Sequence, residues 1–355
     1  MGIGTMLSAK DRKKKERIME VEGLIKMAKR PCIPFIVSAP LLLLFSLFWS
    51  LESLTAQDMP KVTVAYSSRS IAPIDFFVAE QYGYFKTEGL DVRLVQIRAS
   101  VAIAAALAGD VEILGSITSA ISAIQKGALI KVLAVTLHRP LFWLVARPEF
   151  KAISDLKGKV LGTTSIGGAQ HTAQNYMLRK GGINPDVEVT TVLAGDVPTQ
   201  LRAMVSNSIQ AAALSPPAVI VARDRFKMNI LASVVEEYPT IQNGVAVPDR
   251  ALKERPKSIR AILRARTRAN RLFHENPQAA IDVIAKILQV DQETAKQTYH
   301  LSKAAFTQNG IVTEREASAY LRSDAERLRL KETVPFSQAF DFSIQREVNR
   351  ELGVQ

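Results

Sequence analysis

The feature that most constrains the fold is the regular alternation of strand and helix patterns between residues 61 and 247. Strand patterns such as Lys61–Tyr66 alternate with helix patterns throughout this region. Alternation of this kind predicts parallel sheets covered by helices. After Pro248 the pattern becomes helical, with an apolar face over 259–273 and a capping box at Thr313–Glu316.

A pattern that occurs twice indicates two similar halves. Ala106–Leu114 contains a helix end, a turn and a short strand, and Met204–Ala212 repeats this order. A residue suited to the left-handed region ends each helix, Gly109 in the first copy and, less favourably, Asn207 in the second. Small hydroxyl residues follow each strand. Because ligands bind outside the carboxyl ends of parallel strands and at helix N-termini, the two halves predict a ligand cleft between them.

The composition excludes several classes of site. Because Cys32 is the only cysteine, the chain has no disulfide framework and no multi-cysteine zinc or iron–sulfur site. The four histidines are never spaced four residues apart, which leaves little for a histidine-rich metal site. We therefore expect no cofactor and no metal.

Residues 1–56 have the pattern of an export signal. Lys29 and Arg30 precede the apolar stretch Ile33–Leu51, and small residues lead to Ala56. We expect a signal peptide cleaved after Ala56. An uncleaved membrane anchor is the alternative, because the apolar stretch has 19 residues, which is close to the shortest helix that can span a bilayer.

The charge of the exported chain is moderately basic. Residues 1–56 contain nine basic and five acidic residues, so the net charge falls from +12 for the whole chain to +8 without them. This charge favours anionic ligands or surfaces without indicating nucleic acid. A stripe of arginines also points to a solvated helix face, because no aromatic residues interleave it. The stripe consists of Arg260, Arg264, Arg268 and Arg271.

Three phrases of the sequence occur in an order that is typical of a known family. They are Pro73–Val92, Gly109–Ile113 and Asp155–Gly162 followed by Gly167 and Gly168. In these phrases the chain resembles the solute-binding proteins for nitrate, taurine and aliphatic sulfonates, whose opening is shared by the thiamine-pyrimidine-precursor binding proteins. The resemblance covers residue 61 to about residue 306, and it departs at Asn207–Gln210, where the family has a glycine and an acidic residue.

The resemblance implies a periplasmic-binding-protein fold of type II, an α/β fold whose two lobes are each a mostly parallel sheet flanked by helices. On this basis residues 57–147 and 245–355 form lobe 1, and residues 148–244 form lobe 2. Hinges are expected near Arg147–Lys151 and Gln242–Pro248. The resemblance also implies a monomeric periplasmic protein that passes a small-molecule solute to the permease of an ABC importer and does not bind nucleic acid.

The candidate ligand site consists of small polar residues at the strand ends of both halves. The loop 163–171 leaves a strand and enters a helix, so backbone N–H groups and the helix start can hold an oxyanion. His171 is better explained as a solvent-facing helix residue, and Phe142 or Trp143 could stack on a ring-bearing ligand. The candidate ligand-binding residues are Ser67, Ser68, Ser70, Ser116, Thr118, Ser119, Thr164, Ser165, Gly167, Gly168, Gln170, Ser215 and Pro216.

Other functions stay open at this point. An enzyme on this fold needs a nucleophile, a metal set or an acid–base pair, and the candidate loops contain no cysteine, clustered histidines or carboxylate pair. A ligand-sensing regulator needs a DNA-binding motif where the export signal lies. For a binding protein we expect a small anion or zwitterion of the sulfonate, nitrate or taurine class, with a thiamine-pyrimidine precursor or an aromatic compound as the alternative.

Overall fold

The computed structural model describes residues 59–235 and 241–354. The predicted signal peptide, its membrane-anchor alternative and Cys32 all lie outside these residues. Among the helices that are described, none combines the length and the apolar character needed to cross a bilayer.

Within residues 59–235 and 241–354, ten strands follow the predicted alternation. They are β1 (Lys61–Tyr66), β2 (Asp91–Gln96), β3 (Ile113–Leu114), β4 (Ile130–Leu137), β5 (Trp143–Ala146), β6 (Val160–Thr163), β7 (Thr190–Leu193), β8 (Ala211–Leu214), β9 (Asn229–Ser233) and β10 (Asn243–Pro248).

The helices lie between the strands and then continue alone after β10. They are α1 (Ile74–Gln81), α2 (Tyr84–Thr87), α3 (Ala99–Ala108), α4 (Ile117–Gln125), α5 (Ala169–Lys180), α6 (Val197–Val205), α7 (Ala218–Phe226), α8 (Asp249–Glu254), α9 (Pro256–Glu275), α10 (Pro277–Leu288), α11 (Gln292–Ser302), α12 (Glu314–Leu328), α13 (Phe336–Ala339) and α14 (Ser343–Leu352). Short 3-10 helices occupy Ile153–Leu156 and Lys303–Ala305.

The strands form two sheets with equivalent topology. Their orders are β2-β1-β3-β10-β4 and β7-β6-β8-β5-β9. In each sheet one strand, β10 or β5, runs antiparallel to both of its neighbours, and the other pairs are parallel. The two-lobed α/β fold predicted from the sequence is therefore confirmed, with sheets that are mixed because each receives one reversed strand.

The strand β5 does not lie in the lobe that the sequence analysis gave it. It pairs with β8 and β9 in the second sheet, although residues up to 147 were assigned to lobe 1. The chain therefore crosses between the sheets before β5, and it returns between β9 and β10, since β10 starts at Asn243 in the first sheet. The first expected hinge, Arg147–Lys151, lies after this crossing. An apolar strand pattern predicts a strand but not the sheet that it joins.

The helical segment that follows β1 is divided in two. α1 ends at Gln81 and α2 begins at Tyr84. Gly83 between them has a φ of +69°, which is left-handed backbone and interrupts the helix.

The helical C-terminal part packs on the first sheet, as its apolar faces predict. Ile259, Ile262 and Phe273 of α9 are buried in the core on one side of that sheet, and Tyr320 and Leu321 of α12 are buried in the core on its other side. The predicted capping box is present at the start of α12. These helices make lobe 1 the larger of the two lobes.

The arginine stripe on α9 is neutralised by neighbouring carboxylates. Arg260 and Arg264 both contact Glu351. Glu88 pairs with Arg264 and Arg268 at 2.9 Å each, and Arg271 pairs with a glutamate one turn along its own helix. The stripe therefore fixes α9 against α14 and the end of α2 and does not form a free basic surface.

The repeated turn has the same geometry in both lobes. Gly109 has a φ of +98° and Asn207 a φ of +63°. The following amides, of Asp110 and Ser208, donate back to the carbonyls of Ala105 and Ala203 at 2.9 and 2.8 Å. The departure from the family pattern at 207 therefore leaves the turn intact, because asparagine tolerates left-handed backbone.

The same repeat includes a side chain that ties the turn to a neighbouring strand, β1 in lobe 1 and β6 in lobe 2. The carboxylate of Glu112 accepts the backbone N–H of Thr63 at 2.8 Å. In lobe 2 the amide oxygen of Gln210 accepts the backbone N–H of Val160 at 3.0 Å. A neutral amide thus replaces the acid without loss of the contact.

Candidate functional site

The polar residues predicted from the sequence meet at one cavity between the lobes. The cavity encloses about 40 Å³ at the carboxyl ends of β1, β3, β6 and β8, and every candidate ligand-binding residue lines it except Gly167 and Pro216. Its lining consists of Tyr66, Ser67, Ser68, Ser70, Ala72, Pro73, Ala99, Ser116, Thr118, Ser119, Phe142, Thr164, Ser165, Gly168, Ala169, Gln170, Val197, Ser215, Gln242 and Asn243.

Helix N-termini supply the electrostatic character of the cavity. The first residues of α3, α4, α5 and α6 line it. Within the described residues, no side chain caps α4 after Ser116 or α5 after Gly168, so their first N–H groups have no capping acceptor. The cavity lining described here contains no Asp, Glu, Lys, Arg, His or Cys. Positive partial charge from the helix ends therefore dominates the field at this position.

Several lining hydroxyls are available to a ligand. Ser70 and Ser119 of lobe 1 and Ser165 and Ser215 of lobe 2 are buried, and their hydroxyls bond to no other residue in the described ranges. A hydroxyl can donate one hydrogen bond and accept others, so both lobes offer groups that could hold oxyanion oxygens.

Other predicted residues use their polar groups to build the site. The hydroxyl of Ser116 donates to that of Ser67 at 2.8 Å, which joins the loops after β3 and β1. The hydroxyl of Thr118 donates to the carbonyl of Ile241 at 2.7 Å, close to the start of β10. Thr118 therefore holds the returning crossing against α4.

Gln170 is a structural residue of lobe 2 rather than a free ligand donor. Its amide oxygen accepts the N–H of Thr164 at 2.8 Å, and its amide nitrogen donates to Gln200 at 2.6 Å and to the carbonyl of Ala213 at 2.7 Å. One buried side chain thus fixes the ends of β6 and β8 to the start of α5, which sets the shape of the loop 163–171.

The lobes touch each other around the cavity. Val197 N–H donates to the hydroxyl of Ser68 at 3.2 Å, and Ile71 N–H donates to the carbonyl of Pro216 at 3.2 Å. Gly168 lies so close to lobe 1 that a Cβ there would be 3.5 Å from Ser119 Oγ. The structure therefore represents a closed arrangement of the cleft.

The two predicted residues outside the cavity have other positions. Pro216 lines a neighbouring groove with Leu201 and Phe226. Gly167 directs its N–H to His171 Nδ1 at 3.2 Å. His171, expected to face solvent, is half-buried in a polar groove between α5 and α12.

The sequence analysis missed Tyr66, Gln242 and Asn243, and it left Phe142 undecided. Gln242 and Phe142 come directly before the reversed strands β10 and β5. Because those strands are antiparallel, their first residues lie beside the carboxyl ends of their neighbours, where the ligand edge is. Sequence offers no signal for this without the strand order.

Over residues 59–235 and 241–354 no group of three His, Cys, Asp or Glu side chains is placed to hold a metal ion. The cavity is instead suited to hydrogen bonding.

A family model described as NMT1/THI5-like matches residues 71–280. Curated relatives from Brucella abortus, Brucella suis and Brucella melitensis, named provisionally as binding proteins, are 23% identical over 180 residues. The match covers 49% of this chain and 55% of each relative. The chain thus spans about half the length of the curated relatives it matches.

Several solved structures are similar in fold. A protein from Bordetella bronchiseptica has a TM-score of 0.73 at 22% identity, covering 83% of this chain and 99% of that one. The alkanesulfonate-binding protein of Xanthomonas axonopodis, solved with bound MOPS, has a TM-score of 0.68 at 13% identity. That match covers 81% of this chain and 99% of that one. The nitrate-binding protein of Synechocystis has a TM-score of 0.68 at 11% identity, and the match covers 84% of this chain and 90% of that one. A desulfurization enzyme, DSZB, has a TM-score of 0.60 at 13% identity, and the match covers 82% of this chain and 99% of that one.

Proposed function

We propose that this chain, which belongs to the NMT1/THI5-like family, is the extracytoplasmic solute-binding component of an ABC importer. In this proposal it captures a small anionic or zwitterionic organic solute between its lobes. The observation that carries the proposal is the buried inter-lobe cavity with uncapped helix N-termini, free hydroxyls on both sides and no charged lining among the described residues.

The chemistry of the cavity favours an oxyanion head group. A buried anion can be held without a cationic side chain when backbone N–H groups and hydroxyls replace its hydration shell. Hydrogen bonds to a charged group contribute roughly 1.5–3 kcal/mol each. The enclosed volume of about 40 Å³ is close to that of a few water molecules, at roughly 10–15 Å³ each. It therefore suits a nitrate or sulfonate group better than a large ring system.

Closure of the lobes is the proposed mechanism of capture. Ser119 and Ser165 come from different lobes, so a ligand bonded to both can exist only when the cleft is shut. Such a ligand shifts the population toward the closed form by its preference for that form. The importer would then recognise the outer surfaces of the two closed lobes.

A ring-bearing solute is the second candidate. The aromatic side chains of Tyr66 and Phe142 line the cavity from opposite lobes, and either could stack on a pyrimidine or an aromatic acid. Because the closed volume is small, this candidate requires the lobes to close less far than they do here.

We also propose that the chain binds its solute without catalysing a reaction of it. A hydrolase or lyase on this fold needs an activated nucleophile or an acid–base pair, and the described lining offers only hydroxyls, amides and backbone groups. Export to the periplasm, a monomeric state and a partner permease complete the proposed role.

A ligand panel tests the proposal on the purified protein. Nitrate, methanesulfonate, taurine, a hydroxymethylpyrimidine and benzoate are compared by thermal shift and calorimetry. A ligand at about one hundred times its Kd stabilises the folded state by about 2.7 kcal/mol. We expect an oxyanion to bind at a one-to-one ratio. Failure of every oxyanion together with binding of a ring compound would favour the second candidate, and turnover of any compound would overturn both.

A further inference from the structure

We infer that His171 is a positioning residue for the ligand site: its neutral imidazole holds the loop 165–168 in the conformation that accepts solute, and protonation releases that loop. The inference rests on the proposed function, because it makes solute binding dependent on pH. It concerns a residue that does not line the cavity itself.

The geometry begins with the hydrogen bond between the loop and the helix that follows it. Gly167 N–H donates to His171 Nδ1 at 3.2 Å. Gly168, which follows Gly167, is bound to the same turn, because its N–H donates to the carbonyl of Ser165 at 3.1 Å. Ser165 and Gly168 both line the cavity. The histidine therefore acts on the ligand site through Gly167, which does not line the cavity but lies between two residues that do.

The second ring nitrogen fixes which form of the imidazole is present. Since Nδ1 accepts a hydrogen bond, it carries no proton, and the neutral ring must carry its proton on Nε2. The Asn175 side chain lies 3.3 Å from Nε2, and its Oδ1 is buried with no partner among the described residues. A half-turn of this amide places Oδ1 against Nε2–H, which supplies the missing partner and orients the ring.

The surroundings favour the neutral ring. Burial lowers the pKa of His171 below its ordinary value of 6.5, and the guanidinium of Arg327 lowers it further. Charges of both signs face the groove from the elements around the ring. They are Arg179 on α5, Asp186 and Glu188 after it, and Glu326, Arg327 and Arg329 at the end of α12. Arg179 also lowers this pKa, whereas Asp186 raises it.

Protonation of His171 would disfavour the closed cleft in two ways. The new Nδ1–H would face the Gly167 N–H, so the hydrogen bond that holds the loop would be lost. The imidazolium on lobe 2 would also repel Arg327 on lobe 1 across the groove. Both effects disfavour the closed form, and solute is therefore released as the pH falls through the pKa of His171.

The decisive variant keeps a hydrogen-bond acceptor for the Gly167 N–H but replaces the imidazole by a group that does not titrate. Asparagine places an amide oxygen near the position of Nδ1, so His171→Asn retains an acceptor for Gly167 that does not protonate. His171→Leu removes the acceptor at every pH. His300→Asn is the matched control, because His300 is exposed on α11, away from the cavity and from both crossings between the lobes.

The first measurement needs no ligand. NMR follows the imidazole of His171 and the hydrogen exchange of the Gly167 amide between about pH 8 and about pH 5. In the natural protein we expect Gly167 protection, corrected for intrinsic exchange, to fall as His171 titrates. In His171→Asn it should stay constant. Titration of His171 with no change at Gly167 would overturn the inference, whatever the protein binds.

The second measurement uses methanesulfonate as the probe. In the natural protein and in His300→Asn we expect binding to weaken about tenfold over this pH range, which corresponds to roughly one pKa unit of linkage. His171→Asn should bind with nearly constant affinity, and His171→Leu weakly throughout. Equal pH profiles in the natural protein and His171→Asn would refute the inference. Absence of binding at every pH by all proteins would refute the proposed function and leave the exchange experiment to decide on His171.

Discussion

At the residue scale, ligand affinity should depend most directly on the serine hydroxyls that have no hydrogen-bond partner among the described residues. Ser165→Ala and Ser119→Ala each remove one hydroxyl from the cavity lining without altering the backbone. If both contact an oxyanion, each change should weaken binding by roughly 10- to 100-fold, the range for a hydrogen bond to a charged group. Calorimetry with the tightest oxyanion of the panel measures this loss.

The exposed Ser154, in the 3-10 helix before β6, provides the matched control for these two changes. Ser154→Ala should leave affinity unchanged. If Ser165→Ala and Ser119→Ala also bind normally while the folded state is unchanged, the oxyanion is not held at the inter-lobe cavity.

Also at this scale, one buried ion pair inside lobe 1 should dominate stability. Arg266 of α9 and Asp75 of α1 are both fully buried, with Arg266 Nη1 3.5 Å from Asp75 Oδ2. The hydroxyl of Thr136 accepts from Arg266 and donates to Asp75 at 3.0 Å. Removing one partner of such a pair leaves an uncompensated buried charge, which costs about 3–5 kcal/mol.

We therefore expect Arg266→Met to lower the free energy of unfolding by about 3–5 kcal/mol. Burial raises the pKa of Asp75, so without Arg266 the folded state must bind a proton there. The loss should thus grow as the pH rises above the ordinary aspartate value of 3.8. Urea unfolding at two pH values measures both effects.

Arg250→Met removes the exposed pair with Glu254 and should cost less than about 1 kcal/mol. A similar small loss in Arg266→Met, independent of pH, would show that the buried arginine is replaceable by apolar packing.

At the element scale, the repeated turn was predictable from the sequence because its geometry depends on one residue. Gly109 and Asn207 both adopt the left-handed backbone that ends a helix before a short strand. The family match confirms the resemblance that was drawn from three separate phrases of the sequence. Here the local residue type determines the local structure, so the sequence suffices.

The strain at Asn207 can be measured. A non-glycine side chain in the left-handed region costs roughly 1–2 kcal/mol, and asparagine less than most. Asn207→Val should therefore lower the free energy of unfolding by about 1–2 kcal/mol, whereas Asn207→Gly should change it by less than about 0.5 kcal/mol. Chemical denaturation compares the two. Equal stabilities of the two variants would show that the turn relaxes to another conformation.

The placement of the reversed strands was beyond the sequence. β5 and β10 have apolar patterns that any central strand could have, and their partners lie far away along the chain. Their sheet membership decides that Phe142, Gln242 and Asn243 reach the cavity. The serine loops could be predicted because strand ends and helix starts are local features, but the residues before β5 and β10 depend on non-local pairing.

At the scale of the whole molecule, polar contacts outside the cavity also join the lobes and should influence closure. The guanidinium of Arg225, at the end of α7 in lobe 2, pairs with Asp291, the cap of α11 in lobe 1, at 2.8 Å. Gln96, the last residue of β2, donates to Asp196, the cap of α6, at 3.1 Å. Arg225, Asp291 and Gln96 are exposed and Asp196 is half-buried. The Arg225–Asp291 contact is therefore weak and can be changed without disturbing a core.

Arg225→Asp places two like charges where the closed form has an ion pair, and this should shift the equilibrium toward the open form. An exposed pair contributes up to about 1 kcal/mol, so we expect apparent affinity to fall by about fivefold at low salt and less at high salt. Arg250→Asp makes the same charge change opposite Glu254 of the same lobe and should leave affinity unaltered. Small-angle scattering should show a larger radius of gyration for Arg225→Asp without ligand. Equal radii and affinities for both variants would mean that closure does not depend on this contact, and that the groups lining the cavity alone determine it.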